Sequence, residues 1–400
     1  MKGPFSIWSF FGITIWIDVI THAIFPKNLK RVQPYYNKVK EVSVIVPVHR
    51  EPMHEIEATI TSLYSERYPI KNVILCSDAE SYLAKEVVKK LSTIYNNLYF
   101  CESPSKSKAK KINYAVATLD SLLGDFIYIR DCQARGEIDC IEKMVSYFTN
   151  DKVAAVTSYG RINIPKNFLS RAYHYGKAWI NEIGRFRKAA QEKRQAVFVI
   201  CGASTMFRKN ILKNIPIPYG SKTEDTHYTW ILQEKGYIIR IADDAMISSP
   251  EVDGYGMLGI KGQLKQAYRW SSGNIQCLYL ENRDLFKNKS LWYTTILPGF
   301  IEAIMYSIFL LLLPFLFFFI PNYSLGFLIG DTVFSLLGTA IILPNKFFKT
   351  LFHYPQIFFF KYLNAAVFIF ALTTVTIQAF IGETNKWNNT WIPPKTQLGI

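Results

Sequence analysis

The stretch Val42-Ser-Val-Ile-Val-Pro-Val48 decides the fold of this chain. It is apolar and rich in valine, without the polar/apolar alternation of a half-exposed strand, which predicts a strand buried on both faces. Short apolar runs follow at 72–77, 98–101, 126–130 and 153–157, with helical patterns between them. This alternation predicts an α/β domain with a mostly parallel sheet covered on both faces.

Acidic residues follow two of these predicted strands directly. Asp78 comes after the strand 72–77, and Asp131 comes after the strand 126–130. Ligands of open α/β sheets bind where the strands end, so we expect both carboxylates at that edge. There a carboxylate can accept a hydrogen bond from a ribose or a base, or bind Mg²⁺ or Mn²⁺. A solvated turn or a helix-capping aspartate is the alternative for each.

Two later segments carry residue types that suit sugar chemistry. Thr223-Glu-Asp-Thr226 opens a predicted helix, in which Asp225 serves either as a general base or as a partner of the helix N-terminus. Gln266, Arg269 and Trp270 are spaced i, i+3 and i+4, so they share one helical face. That face can bind a sugar and a phosphate, or can belong to a helix in the membrane interface.

The segment Lys108-Ala-Lys-Lys-Ile-Asn113 is basic and begins a predicted helix. It either grips a diphosphate or forms a solvated face. The sequence has no Walker-type phosphate loop, which disfavours a kinase. The aromatic and basic segment 168–187 predicts another helix, packed either on the cytosolic leaflet or on the domain's own sheet.

Composition excludes several classes of protein. The chain has 400 residues, 50% of them hydrophobic, and a formal net charge of +15 from 46 Lys and Arg against 31 Asp and Glu. So apolar a chain collapses, which excludes disorder, and six cysteines without CxxC exclude a disulfide-stapled scaffold. The positive charge suits anionic lipid, a nucleotide or nucleic acid. Because the chain also carries membrane-length runs, lipid and nucleotide fit best, and we expect no nucleic-acid partner.

Four apolar runs, at about 5–25, 291–320, 325–343 and 357–381, are long enough to span a bilayer. A basic cluster follows the first run, which predicts an uncleaved anchor whose C-terminal end is cytosolic. The basic amphipathic segment 345–354 is typical of a helix in the headgroup plane. One span before the central domain and three after it would put both termini outside, whereas the tail looks cytosolic, so the number of spans stays open.

Taken in order, these segments resemble the membrane-embedded, processive family 2 glycosyltransferases, the group of cellulose, chitin and hyaluronan synthases and bacterial poly-N-acetylglucosamine synthases. Residues 42–51 are similar to the family's first strand and turn, 198–208 to its acceptor-site strand, 223–225 to its catalytic motif and 266–270 to its QxxRW motif. The tail 387–394 resembles the family's end. The resemblance covers nearly the whole chain and implies a GT-A-like fold.

The resemblance also implies roles for the matching residues. It identifies Glu224 and Asp225 as the catalytic motif. Asp225 would be the base that deprotonates the acceptor hydroxyl, and the transfer would invert the anomeric carbon. The donor, a UDP-sugar in this family, would be bound by Asp78, Lys108, Asp131, Gln266 and Arg269. The acceptor sugar would be bound by Trp270, Cys201 and Gly202. A Mg²⁺ or Mn²⁺ ion would be held by Asp131 and Gln133.

One position departs from the family. The family has Asp-x-Asp at the metal, whereas this chain has Asp131-Cys-Gln133. Glutamine offers a carbonyl oxygen but no charge, so metal affinity is expected to fall unless another carboxylate, such as Asp225 or Asp243, helps. We expect metal-dependent transfer to a growing polysaccharide or glycan, with product translocation left open. A single-addition transferase acting on a lipid-linked acceptor and a non-catalytic nucleotide-sugar-binding membrane protein are the alternatives.

The expected organisation has five parts. They are an N-terminal transmembrane anchor (1–30), a cytosolic GT-A-like domain (40–255), an interfacial helix region with QxxRW (256–290), about three C-terminal transmembrane helices (291–382) and a membrane-proximal tail (383–400). The chain would then be a multi-pass protein of the cell membrane with its catalytic domain in the cytosol. Its partners would be the lipid bilayer, a nucleotide-sugar donor and a polysaccharide or glycolipid acceptor. Three or four helices would form only a narrow channel within one chain, or a wider one in an oligomer. Whether the chain forms a homo-oligomer is therefore left open.

Overall fold

The computed structural model of the chain describes residues 40–161, 168–248, 259–280 and 288–384. These residues form two compact units. The sheet unit contains residues 40–161 and 199–248, and the helical unit contains residues 168–198, 259–280 and 288–384. The predicted N-terminal anchor and the tail that resembles the family's end lie outside the described residues. Residues 168–198, which fall inside the expected domain 40–255, group with the helical unit.

The sheet unit is built on eight strands. They are β1 (Val42–Pro47), β2 (Ile70–Asp78), β3 (Leu98–Ser103), β4 (Phe126–Arg130), β5 (Arg135–Gly136), β6 (Val153–Arg161), β7 (Ser204–Arg208) and β8 (Ile238–Ser248). Their spatial order is β3-β2-β1-β4-β7-β6-β8-β5. The pairs β1–β2, β1–β4, β2–β3 and β6–β8 are parallel, while β7 runs antiparallel between β4 and β6. The predicted mostly parallel α/β sheet is therefore confirmed.

The helices follow in chain order. They are α1 (Met53–Tyr64), α2 (Tyr82–Leu91), α3 (Lys108–Thr118), α4 (Cys140–Ser146), α5 (Phe168–Lys193), α6 (Lys209–Asn214), α7 (Glu224–Glu234), α8 (Gly259–Leu280), α9 (Leu297–Phe319), α10 (Pro321–Ile342), α11 (Phe347–Phe352) and α12 (Tyr354–Phe380). A short helix (Lys289–Leu291) and a π-helical turn (Trp292–Ile296) lead into α9.

Burial on both faces explains the unbroken apolar run of β1. All six of its residues are buried. Val42, Val44 and Val46 join the main core cluster, to which α1 contributes Ile56 and Ile60. A strand covered on both sides gains from apolar residues at every position, whereas a half-exposed strand gains only at alternate ones. The central strand thereby fixes the sheet on which the candidate site is built.

The helical unit contains three helices long and apolar enough to cross a membrane, among the residues described. They cover Lys289–Phe319, Pro321–Ile341 and Tyr354–Phe380, with mean hydropathies of 2.2, 1.6 and 1.8. The long helix α5 packs along α12, and a β-carbon at Gly176 would meet the Phe360 side chain at 2.1 Å. The predicted helix at 168–187 thus packs on an apolar helix.

Candidate active site

The carboxyl edge of the sheet gathers several predicted site residues. Asp78 is the last residue of β2, and Asp131 follows the last residue of β4. Both strands lie beside β1 and parallel to it. Antiparallel pairing of β7 with β4 brings the residues just before β7 to the same edge, where the Asp131 amide donates to the Ala203 carbonyl at 3.0 Å. The sheet topology therefore places Asp131 beside the predicted acceptor-site segment.

Lys108, at the start of α3, lies among three carboxylates. Its Nζ forms an ion pair with Asp131 Oδ1 and donates to the Gly202 carbonyl at 2.7 Å. Burial lowers the pKa of Lys108, but the negative charges of Asp131, Glu224 and Asp225 raise that pKa by more, so the ammonium stays charged. Four segments of the chain therefore meet around the Lys108 ammonium. They are α3, the end of β4, the segment before β7 and the start of α7.

The Asp225 carboxylate packs against the backbone of Gly202. Its Oδ1 accepts a hydrogen bond from the Thr226 amide at 2.8 Å, and a β-carbon built at Gly202 would lie 2.7 Å from Oδ2. A side chain at residue 202 would therefore push the Asp225 carboxylate out of this position. The Cys201 amide donates to Thr157 Oγ1 at 2.7 Å, which ties the segment before β7 to β6.

Asp78 is buried and bound by two basic groups to which sequence reasoning assigned no site role. Its Oδ2 accepts hydrogen bonds from Lys111 Nζ at 2.5 Å and from His49 Nδ1 at 2.8 Å. Burial raises the pKa of Asp78, but the hydrogen bonds from Lys111 and His49 outweigh that effect and lower the pKa below its ordinary value. Asp78 is therefore a carboxylate at neutral pH. The spacing i, i+3 from Lys108 is the signal that could have indicated Lys111.

Glu51 connects these two groups of charges, and sequence reasoning missed it. Its Oε2 accepts the amides of His49 at 2.6 Å and Arg50 at 3.0 Å. Burial raises the pKa of Glu51 despite these amide hydrogen bonds; Asp131 adds to the rise and Lys111 opposes it. The Glu51 carboxylate therefore lies beside His49, whose ring binds Asp78, at the carboxyl edge of the sheet.

The predicted metal ligands are Asp131 and Gln133. Gln133 has a φ of 86°, in the left-handed region, and its amide donates to Thr59 Oγ1 at 3.0 Å. No group of three or more His, Cys, Asp or Glu in the described part of the chain forms a metal cage. Mg²⁺ is often bound by one or two carboxylates together with substrate phosphates and water. Asp131, with its side chain 27% exposed, fits an ion that binds together with a diphosphate.

The remaining predicted residues, Gln266, Arg269 and Trp270, lie on α8 of the helical unit. Gln266 is buried, Arg269 is half-buried and Trp270 is exposed. Gln266 Oε1 accepts a hydrogen bond from Lys177 Nζ of α5 at 2.6 Å, and the same ammonium lies over the Trp270 ring. Sequence reasoning did not single out Lys177, because its partners lie about 90 residues further along the chain.

The chain is similar to known glycosyltransferases. Residues 43–216 match the sequence profile of the family described as Glycosyl transferase family 2. A poly-beta-1,6-N-acetyl-D-glucosamine synthase of Staphylococcus epidermidis is 24% identical over 268 residues, which cover 66% of this chain and 62% of the relative. One from Staphylococcus aureus (strain COL) is 26% identical over 237 residues, 58% of this chain and 53% of the relative. The chain thus spans between half and two thirds of the length of these curated relatives.

A solved structure shares the fold. A mannosyltransferase from Pyrobaculum calidifontis, in complex with GDP-Man and Mn²⁺, superposes with a TM-score of 0.59 at 15% identity, over 94% of this chain and 100% of the other. At that identity the similarity supports the fold alone. The sheet unit and the three apolar helices therefore correspond to a GT-A-like glycosyltransferase fold with candidate transmembrane helices towards the C-terminus.

Proposed function

We propose that this chain, which carries a glycosyl transferase family 2 domain, transfers a sugar from a nucleotide-sugar donor to a growing polysaccharide or glycan at a membrane. The observation that carries the proposal is that Lys108 pairs with Asp131 and donates to the carbonyl of Gly202, against which the Asp225 carboxylate packs. Such a site can offer a base to an acceptor hydroxyl and a fixed positive charge to a departing diphosphate.

In this reaction Asp225 is the general base. The acceptor oxygen attacks the anomeric carbon, its proton passes to the Asp225 carboxylate, and the bond from that carbon to the diphosphate oxygen breaks with inversion. Gly202 and the Thr226 amide hold the carboxylate in one orientation. The Lys108 ammonium offsets the negative charge of the departing nucleoside diphosphate.

We assign the divalent cation to Asp131 and the side-chain carbonyl of Gln133, together with the donor's own phosphates. When bound there, Mg²⁺ or Mn²⁺ would neutralise charge on the diphosphate. Because a mannosyltransferase of the same fold was solved with GDP-Man and Mn²⁺, GDP-mannose and Mn²⁺ are included in the test below.

We assign Asp78 to binding the nucleoside part of the donor, which we expect to be a UDP-sugar. Its carboxylate is ionised and oriented by Lys111 and His49. Because the relatives are named as poly-beta-1,6-N-acetyl-D-glucosamine synthases, UDP-N-acetylglucosamine is the first donor to test.

On the helical unit, we assign Trp270 to stacking on the acceptor sugar, and Arg269 and Gln266 to support of the leaving diphosphate. The three apolar helices support a multi-pass protein of the cell membrane, for which we propose a cytosolic catalytic domain. Passage of the product along these helices is a further part of the proposal.

The test uses the full chain purified in detergent. It is incubated with UDP-N-acetylglucosamine, UDP-glucose and GDP-mannose, each with Mg²⁺, Mn²⁺ or EDTA, while nucleotide release is followed and the product is sized. We expect metal-dependent release of the nucleoside diphosphate with one donor, and a product of many sugars. Addition of one sugar to a lipid-linked acceptor would indicate the single-addition alternative.

A second candidate function is non-catalytic binding of a nucleotide sugar. The observation that favours it is Gln133 at the position of the family's second aspartate, next to an Asp131 already paired with Lys108. The same incubation decides between the two, because a binding protein would retain the donor without releasing its nucleotide.

A further inference from the structure

A buried ammonium group joins α5 to α8 within the helical unit. Lys177 is 6% exposed, and its Nζ donates to Oε1 of Gln266 at 2.6 Å and to Oε1 of Gln263 at 2.9 Å. A buried charge is costly unless polar partners replace the water it has lost. The two glutamines are spaced i, i+3 on one face of α8, so together they hold the ammonium at a defined position.

That position is over the ring of Trp270. Lys177 Nζ lies 5.1 Å from the centroid of the indole, within the range of a cation–π interaction, which is strongest for tryptophan. The residue Trp270 remains 41% exposed, so the cation covers one face while much of the side chain stays open to solvent. Because Gln266 and Trp270 are spaced i, i+4, one cation contacts both ends of the QxxRW motif.

We propose that Lys177 is a positioning residue for acceptor binding, which orients the Trp270 indole to receive the acceptor sugar. This inference rests on the proposed function, in which Trp270 stacks on the acceptor. A ring fixed before binding loses less conformational freedom when the sugar arrives, and this preorganisation increases affinity. In addition to the role assigned above, Gln266 then helps to orient Trp270, because its Oε1 holds the Lys177 cation over the ring.

The test compares three variants of the full chain in detergent. Lys177→Met removes the charge and keeps the length of the side chain, Lys177→Arg keeps the charge, and Lys265→Met removes an exposed lysine from the same helix as the motif. With a short N-acetylglucosamine oligomer as acceptor, we expect Lys177→Met to raise the acceptor KM about tenfold. Lys177→Arg should recover most of the loss, and Lys265→Met should match the wild type.

A second readout does not depend on turnover. Subtracting the emission spectrum of Trp270→Phe from that of the wild type isolates the Trp270 fluorescence, and the same subtraction is made in the Lys177→Met background. We expect the isolated emission to shift when the charge is removed, and the double variant to bind acceptor no more weakly than Trp270→Phe alone.

Two results would overturn the positioning role. One is an isolated Trp270 emission that Lys177→Met leaves unchanged, and the other is a double variant whose loss of acceptor affinity equals the product of the two single losses. If the wild type releases no nucleotide from any donor, the proposed function fails, while the emission shift still decides whether Lys177 orients Trp270.

Discussion

Asp225 lies directly on the backbone of Gly202, with its Oδ2 2.7 Å from the place where a β-carbon at residue 202 would be. The carbonyl of the same glycine accepts a hydrogen bond from the Lys108 ammonium at 2.7 Å. One residue without a side chain therefore contacts both the proposed base and the cation next to it. The position of the Asp225 carboxylate thus depends on the absence of a side chain at residue 202.

Substitution of Gly202 by alanine should therefore disable the site while sparing the fold. The added methyl group must displace the Asp225 carboxylate, and displacement of a general base by about 1 Å can cost about a hundredfold in rate. We expect Gly202→Ala to lower the transfer rate by about that factor, measured as nucleoside diphosphate released in the presence of acceptor.

Gly184→Ala is the matched control, because a β-carbon at Gly184 would have no atom within 4 Å. This glycine lies inside α5, where alanine is the better helix former, so the control should be as active and at least as stable as the wild type. Equal activity of Gly202→Ala and the wild type would show that the Asp225 carboxylate need not occupy this position.

Removal of the proposed base gives a second prediction. Asp225→Asn keeps the size of the side chain but cannot take up the acceptor proton, so we expect transfer to fall by about 10²- to 10⁴-fold. Binding of the donor, followed by calorimetry, should change little, because Asp131 and Lys108 remain. An Asp225→Asn variant that releases nucleotide at the wild-type rate would remove Asp225 from the role of base.

Local patterns were sufficient to predict five of the eight strands and the carboxyl edge of the sheet, whereas β5 and β8 were not predicted. The run 42–48 predicted β1 because both faces of that strand are buried, and Asp78 and Asp131 were predicted at the strand ends where they lie. The end of β6 was predicted four residues early, since its last residues Tyr159, Gly160 and Arg161 break the apolar run but still pair with β8.

The partners of the site residues could not be predicted in the same way. His49 and Lys111 contact Asp78 across 29 and 33 residues of sequence, and Lys177 contacts Gln266 across 89. Periodicity identifies the face of an element, but the residue that meets that face depends on how distant elements pack. These contacts therefore required the structure.

Gln133 offers a third prediction, which concerns the metal. Replacement by aspartate restores a second carboxylate beside Asp131, and aspartate also tolerates the left-handed backbone at φ 86° better than glutamine does. We expect Gln133→Asp to lower the Mn²⁺ concentration needed for half-maximal activity by about tenfold, since an added negative charge strengthens binding of a divalent cation.

Gln133→Asn serves as its control, because it shares the backbone tolerance of aspartate without the charge. It should leave the metal requirement near that of the wild type. If both variants had the wild-type Mn²⁺ requirement, residue 133 would not be a metal ligand.

The buried pair of Asp78 and Lys111 gives a fourth prediction, on stability and pH. Asp78→Asn leaves the Lys111 ammonium buried without its carboxylate, which typically costs about 3–5 kcal/mol and corresponds to a fall of roughly 6–20 °C in melting temperature. The double variant Asp78→Asn/Lys111→Met should recover most of that loss. If Asp78→Asn had the same melting temperature as the wild type, the pair would not stabilise the sheet unit.

The pH dependence of this pair follows from the lowered pKa of Asp78 in the folded state. A carboxyl group whose pKa is lower when folded stabilises the protein above its unfolded pKa of about 3.9, and this stabilisation is lost as the pH falls through the folded value. The melting temperature of the wild type should therefore fall below about pH 4, and the double variant should show a shallower fall.

The last prediction concerns a charged cluster among the apolar helices. Asp331 of α10 accepts hydrogen bonds from Tyr306 of α9 at 3.0 Å and from Tyr354 of α12 at 2.7 Å. It also pairs with Lys361 of α12 at 2.9 Å, and Lys361 donates to Ser335 at 2.9 Å. Since charges within membrane segments are costly unless paired, this cluster should fix the register of the three helices.

Asp331→Asn should therefore reduce the melting temperature and the yield of monodisperse protein in detergent, because it leaves the Lys361 ammonium without its carboxylate among apolar helices. Asp331→Asn/Lys361→Met removes both charges and should restore most of the stability. This variant therefore distinguishes the cost of an unpaired Lys361 ammonium from the cost of losing the Asp331 carboxylate itself. Thr373→Val, at an exposed position of α12, is the control and should match the wild type. Equal melting of Asp331→Asn and the wild type would mean that packing alone fixes the three helices, with no contribution from the pair.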